Sequence, residues 1–485
     1  MRREQTCFQT QQRKINSTVG RAFFISRDHN CKWQELGLPD EVLHAVQDLG
    51  FAKPTTIQKL CLPCAIRDRL DIIGAAETGS GKTLAFAIPI VVRLLELDQA
   101  GKLEHSGPSA LILTPTRELA VQIKDHTKVL VKYTTLKVAA VIGGLSVHKQ
   151  ERILKKHPEI LIATPGRLWY FINEHLQKIR FLVVDETDRM LEKCHFAELE
   201  KILNYLNEQT FVFSATLTFC HAPPSRLLHK PEFHKVTTDD KIASIVSMIA
   251  LRNKRRVIDV TVKFGLAEHL KEARICCSSL EDKDAALYYV LQGYPGRTII
   301  FTNSINCARR LRSLLQSLHF APYLLFSAMN QKHRLTNLEK FTSVLIATDV
   351  AARGLDIKNI QHVVHYQVPR TSEIYVHRSG RTARVDKEGI SIMLVDTKDV
   401  ICYKKICNAL NNGVDLPEFP VDVYKFKELK QRVRLATEVE SARHRCGTMN
   451  ATEHWFRQAA KAADITLDEE VLTVAFLASK PLAIT

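Results

Sequence analysis

No apolar run in this 485-residue chain reaches the ~18–20 residues that a bilayer-spanning helix needs. The longest candidate, Leu84 to Leu95, is broken by Arg93, which argues against an integral membrane protein. No apolar core follows the charged N-terminus, so it does not read as a secretory signal. Its several arginines and few acids leave a mitochondrial transit peptide as the alternative. No second cysteine pair follows Cys61 and Cys64 at a spacing that completes a zinc site, so this pair reads as part of a core helix. The 12 cysteines are scattered through apolar segments, as buried free thiols in a reducing compartment are. Acidic residues are in deficit: 52 Asp+Glu against 68 Lys+Arg gives a formal charge of +16. That balance favours a polyanion, either nucleic acid or an anionic membrane surface. Hydrophobic residues at 45% and charged residues at 25% exclude a wholly disordered chain, and the length allows two to four domains.

Short continuous apolar runs recur, each followed by a turn and then a helical pattern. Asp71–Gly74, Ala110–Thr114, Val138–Ile142, Ile160–Ala163, Phe181–Val184 and Thr210–Ser214 read as buried parallel strands. The basic cluster Lys254–Arg256 precedes one more, Val257–Val262, and a less regular stretch follows from Lys263 to Ser279. The pattern then restarts at Arg297–Thr302, Ala321–Leu325, Val344–Thr348, His362–His365 and Ile390–Val395. The expectation is two α/β domains with parallel sheets, residues 31–262 and 276–416, joined by a linker at 263–275. A basic segment (1–30) precedes them. A basic helical extension (417–470), read as helices Phe426–Arg445 and His454–Ala463, follows, and 471–485 is unassigned.

Ala75 to Thr83, between a strand and a helical run, has the form of a phosphate-binding loop with Ala76 where a glycine often stands. Around Glu77, Thr78 and Ser80, the glycines Gly79 and Gly81 let backbone amides wrap phosphate oxygens. Lys82 supplies a point charge to the β/γ-phosphates and Thr83 a hydroxyl for Mg²⁺. About a hundred residues on, a strand ends in Asp185-Glu186-Thr187-Asp188. There Asp185 is placed to hold the metal, mostly through water, and Glu186 to orient or deprotonate the attacking water. Ser214 and Thr216 end the next strand, where hydroxyls can bond the acidic loop, Asp188 included, and link nucleotide state to domain position. The run His377 to Arg384 carries arginines three apart; it reads equally as arginine fingers or as a solvated basic helix end.

Taken together, these motifs resemble a DEAD-box RNA helicase of superfamily 2 over residues 31 to 410. The resemblance extends to Phe51–Gln58, Pro115–Ala120, Gly143-Gly144, Thr164–Arg167, Phe301–Asn303, Gln331–Arg334, Ala347–Asp349 and Arg353–Asp356. It implies two RecA-like domains, ATP and Mg²⁺ as ligands, Gln58 on the adenine edge, Trp33 stacked on the base and Asp356 at the ribose. It implies RNA contacts from Thr116, Arg117, Gly144, Thr164, Gly166, Arg167, Thr302, Asn303, Gln331, Arg334 and Thr348. By the same likeness, Arg381 and Arg384 are the γ-phosphate fingers and His377 supports the interdomain seam. Three departures stand out: Thr187 for the family's Ala, Thr56 for its Pro, and Ala383 for its Gly.

Ala65–Pro89, Ala163–Ile172, Ala347–Ile357 and Gln367–Arg384 are similar to nucleolar members acting in large-subunit ribosome assembly. That implies pre-rRNA as substrate, pre-ribosomal proteins as partners, a monomeric enzyme and a nucleolar location. Leu97–Ser109 and the tail after Glu470 are short for this subgroup, as in a truncated or alternatively spliced product. The rival expectations are an ATP-gated RNA clamp with little turnover, a DNA helicase, and a membrane-surface protein, the last explaining none of the motifs.

Overall fold

The structure, a computed structural model, describes residues 32–77, 79–171, 178–190, 197–203, 209–214, 254–261, 269–349, 359–383 and 388–462, with positions 246, 249, 251 and 357. Thr78, Thr216, Asp356 and Arg384 lie outside the described residues, as do the side chain of Asp188 and the segments 1–30 and 471–485.

Two parallel sheets organise the chain. In the first, β1 (Asp71–Ala75), β2 (Ala110–Leu113), β3 (Val138–Val141), β4 (Ile160–Ala163), β5 (Phe181–Val184), β6 (Gln209–Ser214) and β7 (Arg255–Asp259) lie in the order β3-β4-β2-β5-β6-β1-β7. In the second, β8 (Leu270–Cys276), β9 (Thr298–Thr302), β10 (Pro322–Leu325), β11 (Val344–Thr348), β12 (His362–His365) and β13 (Gly389–Val395) lie in the order β10-β11-β9-β12-β13-β8. Central strands such as β1, β2, β4 and β9 are buried at every position, because helices cover both faces. The first sheet accordingly has a separate apolar cluster on each face, one around Phe86, Ile88 and Phe213, the other around Leu111, Leu161 and Val184.

Three elements differ from the sequence reading. Leu270–Cys276, within the stretch taken as irregular, is an edge strand in register with Gly389–Val395. Lys271, Glu272 and Arg274 interrupt its apolar character, as edge strands tolerate. β7 begins at Arg255 inside the basic cluster; only Ile258 of its five residues is buried. The two helices expected after Pro417 are one helix, Val423–Ala462. A helix-interior glycine such as Gly447 costs only about 1 kcal/mol, too little to break forty residues. Leu429 and Val433 of that helix pack on Tyr288, and Lys430 Nζ reaches Asp282 Oδ1 at 2.6 Å.

Cys61 is buried in the Thr56–Ile66 helix, where desolvation pushes its thiol up; Cys64 is half-buried. No helix among the described residues is long and apolar enough to cross a membrane.

Candidate functional site

All strands of the first sheet are parallel, so the segments leaving their C-terminal ends gather along one edge. After β1 comes the phosphate loop, which feeds the Lys82–Gln99 helix. Gly79 and Gly81 both have φ of 88°, a left-handed conformation that a side chain disfavours. Gly81 also lies against Gln58, whose Nε2 donates to the Gly81 carbonyl at 2.9 Å. The Gln58 Oε1 accepts from Thr55 N at 2.8 Å, closing a capping box at the start of its helix. Gln58 therefore ties that helix to the phosphate loop, and keeps one N–H and one lone pair beyond these bonds. Lys82 Nζ donates to the carbonyls of Ala76 (2.6 Å) and Glu77 (2.7 Å), which holds the ammonium at the loop mouth beside Thr83. Ser80 Oγ closes the same loop on Glu77 O at 2.7 Å. Trp33 is anchored by its indole N–H on Phe51 O at 2.9 Å, and lines a cleft with Leu43, Gln47, Gly50 and Phe51.

After β5 comes the acidic turn. Asp185 N donates to Leu113 O at 3.0 Å, and the Asp185 carboxylate accepts Glu186 N at 2.9 Å. Glu186 has φ of 49° and is buried, and its Oε2 has no hydrogen-bond partner. Left-handed backbone in a non-glycine residue costs about 1–3 kcal/mol and persists only where the surroundings impose it. A buried carboxylate oxygen without a donor costs more still. Both features suit a group that awaits a ligand. The Asp185 carboxylate and the Thr83 hydroxyl are hard oxygen donors of the kind Mg²⁺ takes. Thr187, the departure from the family pattern, points its hydroxyl into the sheet, 3.0 Å from both Val184 O and Phe213 O. At the end of β6, Ser214 is buried, and its carbonyl accepts Ala76 N of the phosphate loop at 3.2 Å.

A second set of loops lies on the same edge. Thr116 caps the Arg117–Leu130 helix, with its Oγ1 accepting Leu119 N at 3.3 Å. The Arg117 guanidinium lies over Gly143 and Gly144, where a Cβ on either glycine would strike it. Arg167 Nη1 donates to Leu145 O at 3.0 Å; in the same turn Thr164 is buried and Gly166 faces open space.

From the second sheet, Thr302 and Thr348 end neighbouring strands β9 and β11, both buried. Asn303 is committed internally: its Oδ1 accepts Arg378 Nη2 at 2.6 Å, and its Nδ2 donates to Val368 O at 3.0 Å. Arg378 is the hub of this cluster, fully buried and bound also to Asp349 Oδ2 at 2.9 Å and Gln367 O at 2.9 Å. The sequence reading passed over Arg378 in favour of its neighbours Arg381 and Arg384. Arg381 and His377 are themselves buried, with Arg381 Nε on the His377 carbonyl at 3.1 Å.

The two units meet at Glu118, which the sequence reading also passed over. Its Oε1 accepts Gln331 Nε2 at 2.9 Å and its Oε2 pairs with Arg334 Nη2 at 2.9 Å. Glu118 and Arg334 are both nearly inaccessible. Burial lowers the Arg334 guanidinium from its usual value, nearby Glu118 opposes that, and Arg117 adds to it. An acid in the first turn of a helix is explained by the helix dipole alone, so nothing in the sequence marked Glu118 for a tertiary role. The structure thus brings Arg117 and Gly144 of the first unit beside Gln331 and Arg334 of the second.

Residues 55–222 match the DEAD/DEAH box helicase family, and residues 282–386 the helicase conserved C-terminal domain. The ATP-dependent RNA helicase DDX24 of Mus musculus is 40% identical, over 90% of this chain and 67% of that protein. The ATP-dependent RNA helicase mak5 of Schizosaccharomyces pombe is 38% identical, over 90% of this chain and 69% of its own length. Among solved structures, a point variant of S. cerevisiae Dbp5 bound to RNA and ADP BeF3 superposes with a TM-score of 0.68 at 25% identity, covering 84% of this chain and 99% of that one. Mss116p bound to ssRNA and AMP-PNP gives 0.70 at 23% identity, covering 91% and 89%.

Proposed function

The chain belongs to the DEAD-box family of ATP-dependent RNA helicases, and from that premise we propose that it remodels pre-ribosomal RNA by closing its two units, 31–262 and 276–416, around ATP and a single RNA strand. It is an ATP-hydrolysing enzyme of two RecA-like units, and the family binds both ATP and RNA. The observation that carries the proposal is the buried Glu118 clasp on Gln331 and Arg334. It joins the first turns of two helices, Arg117–Leu130 and Gln331–Lys340, that carry candidate RNA contacts of the two units, so strand binding and domain closure are one event.

In the proposed site Lys82, Gly79 and Gly81 hold the phosphates, Gln58 and Trp33 hold the base, and Asp185 with Thr83 holds Mg²⁺. That ion would neutralise charge on the β- and γ-phosphates. Glu186 aligns the attacking water and accepts its proton. Arg381 and Arg384 serve as fingers, and Ser214 passes the state of the site to the interface. RNA contacts come from Thr116, Arg117, Gly144, Thr164, Gly166, Arg167, Thr302 and Thr348, while Gln331 and Arg334, bound to Glu118, serve closure first and the strand second. Asn303 acts through Arg378, which ties it to the Ser372–Ser379 helix. The likeness to the nucleolar subgroup supports a role in large-subunit assembly in the nucleolus.

Steady-state ATPase in the presence of single-stranded RNA, the matching DNA or neither tests the chemistry. RNA should stimulate turnover and DNA should not; equal turnover in all three would reject the RNA-coupled reading. Crosslinking in cells, followed by sequencing of the bound RNA, tests the substrate. Recovery of RNA without enrichment of pre-rRNA would reject the ribosomal assignment.

A further inference from the structure

The family has Ala where this chain has Thr187, and the structure gives that extra hydroxyl a defined place. The main-chain ladder between β5 and β6 ends at Val184 opposite Val212. Beyond it the chain of β6 continues through Phe213 to Ser214, still paired with β1 as far as Ala75. Carbonyls alternate direction along a strand. The Ser214 carbonyl faces the β1 side, where it accepts Ala76 N of the phosphate loop. The Phe213 carbonyl therefore faces β5, whose ladder has already stopped. Thr187 Oγ1 meets it there at 3.0 Å, and shares its proton with Val184 O, also at 3.0 Å. Thr187 is fully buried, so water does not replace this bond.

The segment Phe213–Ser214 is thus gripped from both sides, by the phosphate loop through Ala76 and by the acidic turn through Thr187. We propose that Thr187 is a positioning residue: its hydroxyl extends the β5–β6 connection by one step and locks the Ser214 segment to the turn carrying Asp185 and Glu186. Displacement of either then moves both, and RNA-driven closure is transmitted to the hydrolytic carboxylates through a bond that the family's Ala does not supply. The proposal rests on the coupling role given to Ser214 above.

The test uses the full chain and the ratio of RNA-stimulated to basal ATPase, with the KM for ATP measured alongside. Thr187→Val keeps the branched shape and removes the donor; Thr187→Ser keeps the donor. Thr187→Val should lower the ratio about tenfold, a typical coupling factor, with KM for ATP changed less than about twofold. Thr187→Ser should retain the wild-type ratio. If Thr187→Val does not fold by circular dichroism, Thr187→Ala carries the same expectation with less crowding. Ser214→Ala separates the two ideas. A lowered ratio in Ser214→Ala with a wild-type ratio in both donorless Thr187 variants overturns the role of Thr187 alone. A wild-type ratio in Ser214→Ala rejects a coupling role for the Ser214 hydroxyl alone, because the Phe213 and Ser214 carbonyls stay in place; a wild-type ratio in Thr187→Val as well overturns this proposal. Proportional loss of basal and stimulated rates in Thr187→Val marks a merely structural residue and also overturns the proposal.

Discussion

Glu186 combines left-handed backbone, burial and an oxygen without a donor, and each of these is unfavourable by itself. A residue is kept in such a state when its carboxylate has work that a relaxed residue cannot do. Glu186→Gln preserves length and leaves the Asp185 carboxylate in place. In the proposed role it removes the base, and hydrolysis should fall ~10²–10⁴-fold. Binding does not need that proton transfer, so the variant should hold RNA in the ATP-bound closed state. A chase of labelled RNA with ATP, ADP or no nucleotide checks this; rapid release with ATP, alongside slow hydrolysis, would break the link between closure and RNA retention. Ala383 poses a simpler case. Its φ is 54° where the family has Gly, beside a tight approach of Gly389 to its backbone nitrogen. A Cβ in that region costs roughly 1–2 kcal/mol, partly offset by ~0.4–1 kcal/mol of extra unfolded-state entropy for Gly. Ala383→Gly should therefore stabilise the second unit by about 0.5–1 kcal/mol, read as a raised urea midpoint.

At the scale of elements, what the sequence disclosed follows from burial. Strands covered on both faces, such as β2, β4, β5 and β11, are uninterrupted apolar runs and were located to within a residue. The edge strands β7 and β8 carry charge, so the same rule misplaced one and missed the other. Motif residues at strand ends were legible because the chemistry dictates residue type. Arg378 and Glu118 were not, because their value lies in partners far away in sequence. The forty-residue helix Val423–Ala462 was split in reading because local propensity dips at Gly447, although Leu429 and Val433 anchor it to the second unit. Leu429→Ala should cost at least about 2 kcal/mol at that contact, roughly thirtyfold in its opening equilibrium. Faster tryptic cleavage within the helix, with the sheet signal retained, is the expected result; unchanged cleavage would show that the helix is held elsewhere. Burial alone would raise the Asp282 carboxyl, but hydrogen bonds from Lys430, Ser278 and Ser279 hold it down to about 2. Its folded value lies below the unfolded one, so this support is complete above about pH 4 and is lost as pH falls toward 2. Helix docking should weaken over that interval and not at neutral pH.

At the scale of the whole molecule the decisive contact is the one between units, and it sets two uses of Arg334 against each other. As an RNA ligand, Arg334 gives its charge to a phosphate. As a member of the clasp, it is already neutralised by Glu118, with its Nε buried and unpartnered. Glu118→Ala distinguishes these by sign. Removing one partner of a buried ion pair typically costs ~3–5 kcal/mol, because the other charge is left stranded. That cost falls on the closed arrangement alone, since the contact does not exist once the units part. If the clasp dominates, Glu118→Ala depopulates closure: RNA-stimulated turnover and ATP-dependent RNA affinity should drop at least about tenfold. Nucleotide affinity should change little, because Glu118 does not touch the phosphate loop. Arg334→Met in the Glu118→Ala background should then restore part of the loss, since no stranded charge remains. If Arg334 is chiefly a phosphate ligand, Glu118→Ala instead frees a guanidinium beside Arg117, and RNA binds more tightly with a steeper salt dependence. Titration of labelled RNA into each variant at two salt concentrations, with ATP analogue present, separates the outcomes. The burial of both side chains and the 2.9 Å pairing favour the clasp, in which RNA affinity is largely the free energy of closing and only secondarily that of charge.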